Sequence, residues 1–305
     1  MHVLLIFLDG IGLGDNDPAI NPFAVMDTPT LHQLSGGKRW LRDTPRTETK
    51  RAVFLPTDAS LGISGRPQSA TGQAAIMTGL NVPKLIGEHY GPRPNAPIRD
   101  ILNNGNLFKT LVANNKTAAL INPFPPPFHA AVERGKRLPS SIQQSVLSAG
   151  LPLFTEKHYY ERQALSPDWT GEGWTRFLGY EDAPVYNAEE AGIKLVELTR
   201  QRDFTMFSTW FTDEIGHRGP FESGVMFMER FDKVMEAALD EWDDDEGLII
   251  ITSDHGNMEV QGDRRHTENQ IPTVVIGSAK DNFADGFTDL THITPGILTA
   301  LGLQP

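Results

Sequence analysis

The chain has 305 residues and not one cysteine. That absence excludes a disulfide framework, a cysteine zinc ribbon, an iron–sulfur cluster and a thiol nucleophile. Any metal site must therefore use histidine, carboxylate and hydroxyl oxygen. No run approaches the ~18 apolar residues that a membrane span needs. Positive charge is scarce: 27 Lys and Arg stand against 39 Asp and Glu, a formal net charge of -12. No basic footprint for nucleic acid follows from that balance, which bears on solubility rather than on fold. Met1–Leu8 is apolar but lacks a basic flank, and Asp9 ends it too early for a signal peptide. It reads as a buried strand, and the expected compartment is the cytoplasm.

What is present suits a globular core, with 39% hydrophobic residues and 28 glycines. The length exceeds the ~100–200 residues of a single ordinary domain. The expectation is one large domain carrying an insertion.

Short apolar runs alternate with helical stretches. Val3–Leu8 is continuously apolar, as expected of a strand buried on both faces. Further strands are expected at 53–55, 117–121, 203–211, 247–252 and 273–276. Helices are expected at 28–34, 70–80, 107–114, 187–200, 223–239 and 294–301. Asn187 with Glu190 three residues on suits a capping box. Strands alternating with helices predict an α/β fold, a mainly parallel sheet with helices on both faces. Residues 123–186 break the rhythm with a proline-rich opening and an aromatic stretch around Trp169, Trp174, Phe177 and Tyr180. They read as an inserted cap between core segments 1–122 and 187–305. The acidic run 240–246 reads as a solvated loop.

Five places carry possible chemistry. Asp9-Gly10 ends the first strand, where ligands of open α/β sheets bind; many strands simply end in a structural Asp. A dinucleotide fingerprint fails there, because position 15 is Asp rather than Gly. Asp254-His255-Gly256-Asn257 follows the strand at 247–252 and can present an oxygen and a nitrogen to one cation; a turn with a helix cap is the plain alternative. Asp213 and His217 share one face if that segment is helical, and oxygen plus imidazole suits Zn²⁺ or Mn²⁺; a surface ion pair is the alternative. His266 alone is an ordinary histidine. Ser69 opens a helix, where N–H groups and the dipole favour an anion or an alkoxide; a capping serine is the alternative. Combined, these groups could hold two cations that clamp an in-line displacement.

The ordered set Leu8-Asp9-Gly10, Asn21-Pro22 through Thr28-Pro29, Gln68-Ser69-Ala70-Thr71-Gly72, Asp213-x-x-Gly216-His217, Thr252-Ser253-Asp254-His255-Gly256-Asn257 and His266-Thr267 resembles the alkaline phosphatase superfamily of metalloenzymes. Its closest-looking branch contains cofactor-independent phosphoglycerate mutase and phosphopentomutase. The resemblance implies one metal held by Asp213, His217 and His266, and another held by Asp9, Asp254, His255 and the oxygen of Ser69. It implies that Ser69 is transiently phosphorylated, with Thr71 the rival hydroxyl, and it favours Mn²⁺ over Zn²⁺. Two departures stand out. Gln73 replaces the histidine that the mutases carry after that glycine, and the cap basics Arg134, Lys136, Arg137, Arg162 and Arg176 match no mutase motif.

The expected function is two-metal phosphoryl transfer, or phosphate-ester hydrolysis, on a small phosphorylated metabolite. A true phosphomutase is an alternative, as are a phosphonate or sulfate ester hydrolase and a non-catalytic metal-stabilised binding protein. The usual sulfatase context is missing around Ser69. Arg66, Arg218 and Arg264 lie beside motif residues as possible phosphate clamps. No nucleic-acid or membrane partner is expected, and the sequence leaves the oligomeric state open.

Overall fold

The computed structural model describes residues 1–304. Its strands are β1 (His2–Leu8), β2 (Thr47–Glu48), β3 (Ala52–Thr57), β4 (Ala118–Leu120), β5 (Pro123–Phe124), β6 (Phe154–Thr155), β7 (Phe204–Thr209), β8 (Gly247–Thr252) and β9 (Ile271–Ile276). Seven form the main sheet in the order β2-β3-β9-β8-β1-β7-β4. The strands β8, β1, β7 and β4 run parallel to one another. Beyond them β9, β3 and β2 pair antiparallel. The expected parallel sheet is thus the half around β1, and the sheet as a whole is mixed.

β1 shows why its sequence is apolar without alternation. Leu4, Ile6 and Leu8 face one apolar layer, and Val3, Leu5 and Phe7 face the other. The first layer is covered by the helices Ala188–Thr199 and Phe221–Glu241, which pack along each other. The second is covered by Ser69–Thr78, Leu107–Ala113 and Ile293–Ala300 among others. The Asn187–Glu190 capping box is present, with the Glu190 amide donating to Asn187 at 2.9 Å.

Register decides where the chemistry sits. Leu8 lies beside Thr209, and Phe7 lies beside Thr252. The carboxyl ends of β7, β1 and β8 therefore finish level, and the residues after each emerge at one edge.

Two local expectations change. The strand expected at 203–211 stops at Thr209, because Trp210 caps and Phe211 begins a new helix, Phe211–Arg218. The acidic run is not wholly a solvated loop: Asp240 and Glu241 close a helix, Trp242 is buried, and Asp244 pairs with Arg51 at 2.8 Å. Residues 123–186 form short helices at Pro126–Glu133, Ser141–Ser148, Glu156–Tyr160 and Glu172–Leu178. Their buried side chains join both apolar layers. Trp169 stacks on Phe207 of β7 at 4.2 Å and on Phe231 at 4.9 Å. Among the described residues, no helix is long and apolar enough to cross a membrane.

Candidate metal centre

The level strand ends, the start of the helix Ser69–Thr78 and the loop before β9 bring all seven expected site residues together. Asp9 leaves β1, and its amide donates to Thr209 O at 3.0 Å. The Thr212 hydroxyl donates to Asp9 O, tying the start of the next helix to the same point. Gly10 has φ +73°, and a Cβ there would lie 2.8 Å from Asp213 Oδ1. Glycine is needed both for the turn and for the close passage of Asp213.

One group comprises Asp213, His217 and His266, whose donor atoms lie within 4.8 Å of one another. The helix Phe211–Arg218 puts Asp213 and His217 on one face, with Oδ2 and Nε2 3.4 Å apart. His266 Nε2 sits 3.2 Å from His217 Nε2 and 3.7 Å from Asp213 Oδ1. The remote nitrogens explain this arrangement. His217 Nδ1 lies 2.7 Å from Arg264 O, and His266 Nδ1 lies 2.9 Å from Pro67 O. Each Nδ1 carries the proton for its carbonyl, so both Nε2 lone pairs face the same space. A cation between them satisfies both.

The second group is deeper. His255 Nε2 lies 3.3 Å from Asp9 Oδ1, 3.7 Å from Asp254 Oδ1 and 3.0 Å from Ser69 Oγ. Gln73 Nε2 donates to Asp9 Oδ2 at 3.4 Å and to Asp254 Oδ2 at 3.3 Å. Asp9 Oδ1 and Asp254 Oδ1 are buried without a hydrogen-bond donor. Orphaned carboxylate oxygens beside imidazole nitrogen fit a divalent cation. The two groups touch: His255 stacks on His266 with centroids 3.7 Å apart, and Asp213 also lies within reach of Asp9 and His255.

The electrostatics express one excess of negative charge. Burial, then the neighbouring Asp9, pushes the Asp254 carboxyl well above its ordinary value. Burial likewise raises Asp9. Burial also opposes ionisation of Asp213, but hydrogen bonds from His217 and Asn257 and the charge of His255 outweigh it, holding Asp213 at about 2. Burial alone would lower His255, yet Asp254, Asp9 and Asp213 lift it to about 10. His266 is pushed down to about 4 by burial and by the charge of His255. Three carboxylates thus share one cationic ring, the setting in which bound divalent charge relieves repulsion.

Ser69 is the first residue of the helix Ser69–Thr78, one place inside its Gln68 cap. Thr71, the rival hydroxyl, is committed to backbone: it donates to Gln68 O at 3.1 Å and accepts from the Tyr90 amide at 3.2 Å. Ser69, Asp9 and Asp213 open onto a cavity of about 410 Å³. Residues 123–186 also line it, among them Phe124, Phe128, Arg137 and Trp174. Arg93 reaches the same cavity, whereas Arg66, Arg218 and Arg264 do not line it.

Several contributors escape a sequence reading. The fully buried Glu259 accepts from Gly12 N at 3.1 Å, Asn257 N at 2.7 Å, Asn269 Nδ2 at 3.0 Å and the Thr267 hydroxyl. It joins the loops that deliver Asp9, His255 and His266. Asn257 donates to Asp213 Oδ1 at 2.7 Å. Ser253 accepts from Ile11 N at 2.9 Å. The contacts of Glu259 with Gly12, Asn257 with Asp213 and Ser253 with Ile11 join residues far apart in the chain, so no spacing announces these pairings. Arg93 follows a Gly-Pro pair and carries no motif.

A family model of the metalloenzyme superfamily matches residues 178–305, a segment that holds Asp213, His217, Asp254, His255 and His266. The 2,3-bisphosphoglycerate-independent phosphoglycerate mutases of Pseudomonas paraeruginosa and Chromobacterium violaceum are 30% and 31% identical over 134 residues, 41% of this chain. The chain spans about a quarter of the length of these curated relatives, with 26% of each covered. Among solved structures, the PH0037 protein of Pyrococcus horikoshii has a TM-score of 0.60 at 15% identity, covering 99% of this chain and 96% of its own. Alkaline phosphatase from the Antarctic bacterium TAB5 has a TM-score of 0.57 at 14% identity, covering 100% and 98%. At such identities these two likenesses speak for the fold. The sequence matches add that residues 178–305 are similar to the metalloenzyme superfamily, and that part of the chain is similar to the phosphoglycerate mutases.

Proposed function

We propose that the chain transfers the phosphoryl group of a small phosphate ester, with Ser69 as nucleophile and two divalent cations as cofactors. Asp213, His217 and His266 would hold one cation, and Asp9, Asp254, His255 and the Ser69 oxygen the other. Mn²⁺ and Zn²⁺ both suit such oxygen and nitrogen donors. Bound there, the cations supply Lewis-acid charge for the serine oxygen and the phosphate.

The observation that carries this reading is the setting of Ser69. Its Oγ lies 3.0 Å from His255 Nε2 at the start of a helix of ten residues, and it opens onto the cavity. The start of that helix, with its dipole, favours an incoming phosphate. Ser69 Oγ bonds to phosphorus as the ester P–O bond breaks. The hydroxyl proton passes to solvent, and the departing alcohol oxygen takes one up. Water, or a second hydroxyl of the same substrate, then attacks the phosphoserine and restores Ser69. The first outcome is hydrolysis and the second a mutase reaction, which the phosphoglycerate mutase relatives favour. Residues 123–186 act as the cap over this cavity, and Arg93 and Arg137 supply local positive charge in an acidic protein.

The test is a Ser69→Ala variant loaded with Mn²⁺ or Zn²⁺ and offered a panel of phosphomonoesters. Turnover should fall by at least about 10³-fold while elemental analysis still finds metal. Full activity in this variant would refute Ser69 as nucleophile. In ¹⁸O-water, label in released phosphate marks hydrolysis, and isomerised ester without label marks a mutase.

A further inference from the structure

The cavity beside Ser69 is lopsided in its chemistry. Two guanidinium groups, those of Arg93 and Arg137, reach it. Arg93 is partly buried, and burial together with the charge of Arg137 lowers its pKa. Arg137 lies 4.9 Å over the Phe128 ring. Among the described residues, neither has a carboxylate partner within ion-pair distance. Two guanidinium groups without carboxylate partners on one cavity favour an anion.

The remaining wall offers rings. Phe124 stacks on Phe128 with centroids 4.5 Å apart, and Trp210 stacks on Phe211 at 5.7 Å. Phe177 and Trp210 are 68% and 40% exposed on the same cavity, where a bound ring could cover both. Several polar side chains on this wall are already engaged. Ser140 and Gln143 hold each other in a capping box. Asp168 accepts from Gly171 N at 2.9 Å and Gly173 N at 2.6 Å. Asn122 Nδ2 stays without a partner on the same lining, but rings make up much of the wall, and an apolar alcohol part gains from burial against them.

We propose that this cavity selects phosphate monoesters whose alcohol part carries a hydrophobic ring, with the phosphate at Ser69, Arg93 and Arg137 and the ring among Phe124, Phe177 and Trp210. This rests on the phosphoryl-transfer reading above. Phenethyl phosphate and glycerol 3-phosphate are suitable probes, because both release aliphatic alcohols and so differ mainly in what the wall binds. 3-Phosphoglycerate adds a second anion.

The metal-loaded enzyme should show kcat/KM for phenethyl phosphate at least about tenfold above either polar ester. In Phe177→Ala and Trp210→Ala, both at exposed positions, that ratio should fall about tenfold through KM. Binding of 3-phenylpropylphosphonate, followed by calorimetry, should weaken in parallel. Equal or better turnover of the polar esters, or a ratio unmoved in both variants, would overturn the selectivity while leaving phosphoryl transfer intact. No turnover of any ester by protein with both metals bound would overturn the underlying reading, and this proposal with it.

Discussion

At the scale of single residues, three of the carboxylates that meet at the site were legible because each follows a strand. Asp9, Asp213 and Asp254 come soon after β1, β7 and β8, and level parallel strands place such residues at one edge. What holds them is not legible. Glu259 contacts Gly12, 247 positions away, only because two loops cross. Its carboxylate accepts from four donors and has no hydrogen to give. A Glu259→Gln change would turn one acceptor into a donor facing another donor. It should weaken Mn²⁺ binding by about 10–100-fold, the usual effect of losing an outer partner. It should also cost about 1–3 kcal/mol of stability. Isothermal titration and urea denaturation read the two effects separately. Unchanged metal affinity with lowered stability would reduce Glu259 to a packing role. Gln73 is a related case. The sequence shows only that a histidine is replaced, whereas the structure shows its amide spanning Asp9 and Asp254.

At the scale of elements, legibility follows length and burial. The strands β1 and β8 and the helices Ala188–Thr199 and Phe221–Glu241 announce themselves by continuous or periodic apolar pattern. The segment 123–186 does not, because its helices have only five to eight residues and so show at most about two turns of periodicity. Phe211–Arg218 is short for the same reason, and its apolar first residue prolongs the preceding strand to the eye. Aromatic stacking orders the long segment instead. Trp169, fully buried, sits between Phe207 of the sheet and Phe231 of the covering helix. Trp169→Ala should destabilise the protein by about 3–5 kcal/mol, read as a lower urea midpoint. Trp169→Phe keeps a ring in the gap and should cost clearly less. A midpoint shift under about 1 kcal/mol in the alanine variant would show that the segment is held by other contacts.

At the scale of the whole molecule, the -12 charge and the site pose one problem. Three buried or half-buried carboxylates meet where the strands end, and His255 is the main cationic side chain among them. Without divalent cations, the protein must keep these acids protonated or bear their repulsion. The loops involved leave β1, β7 and β8, so relief at the site is relief of the whole sheet edge rather than of one turn. A ligand that binds only the folded state stabilises it by about 2.7 kcal/mol at a hundredfold excess over Kd. Two such sites would contribute about 5 kcal/mol, on the order of 10 °C in Tm for a chain of this size. Calorimetry should therefore show Tm falling on EDTA treatment and recovering with Mn²⁺ or Zn²⁺. His217→Ala removes a ligand from one group only and should shrink that recovery to about half. A Tm indifferent to EDTA and to added metal would mean that the carboxylate cluster is balanced by protons alone, and the two-cation reading would fail at its foundation.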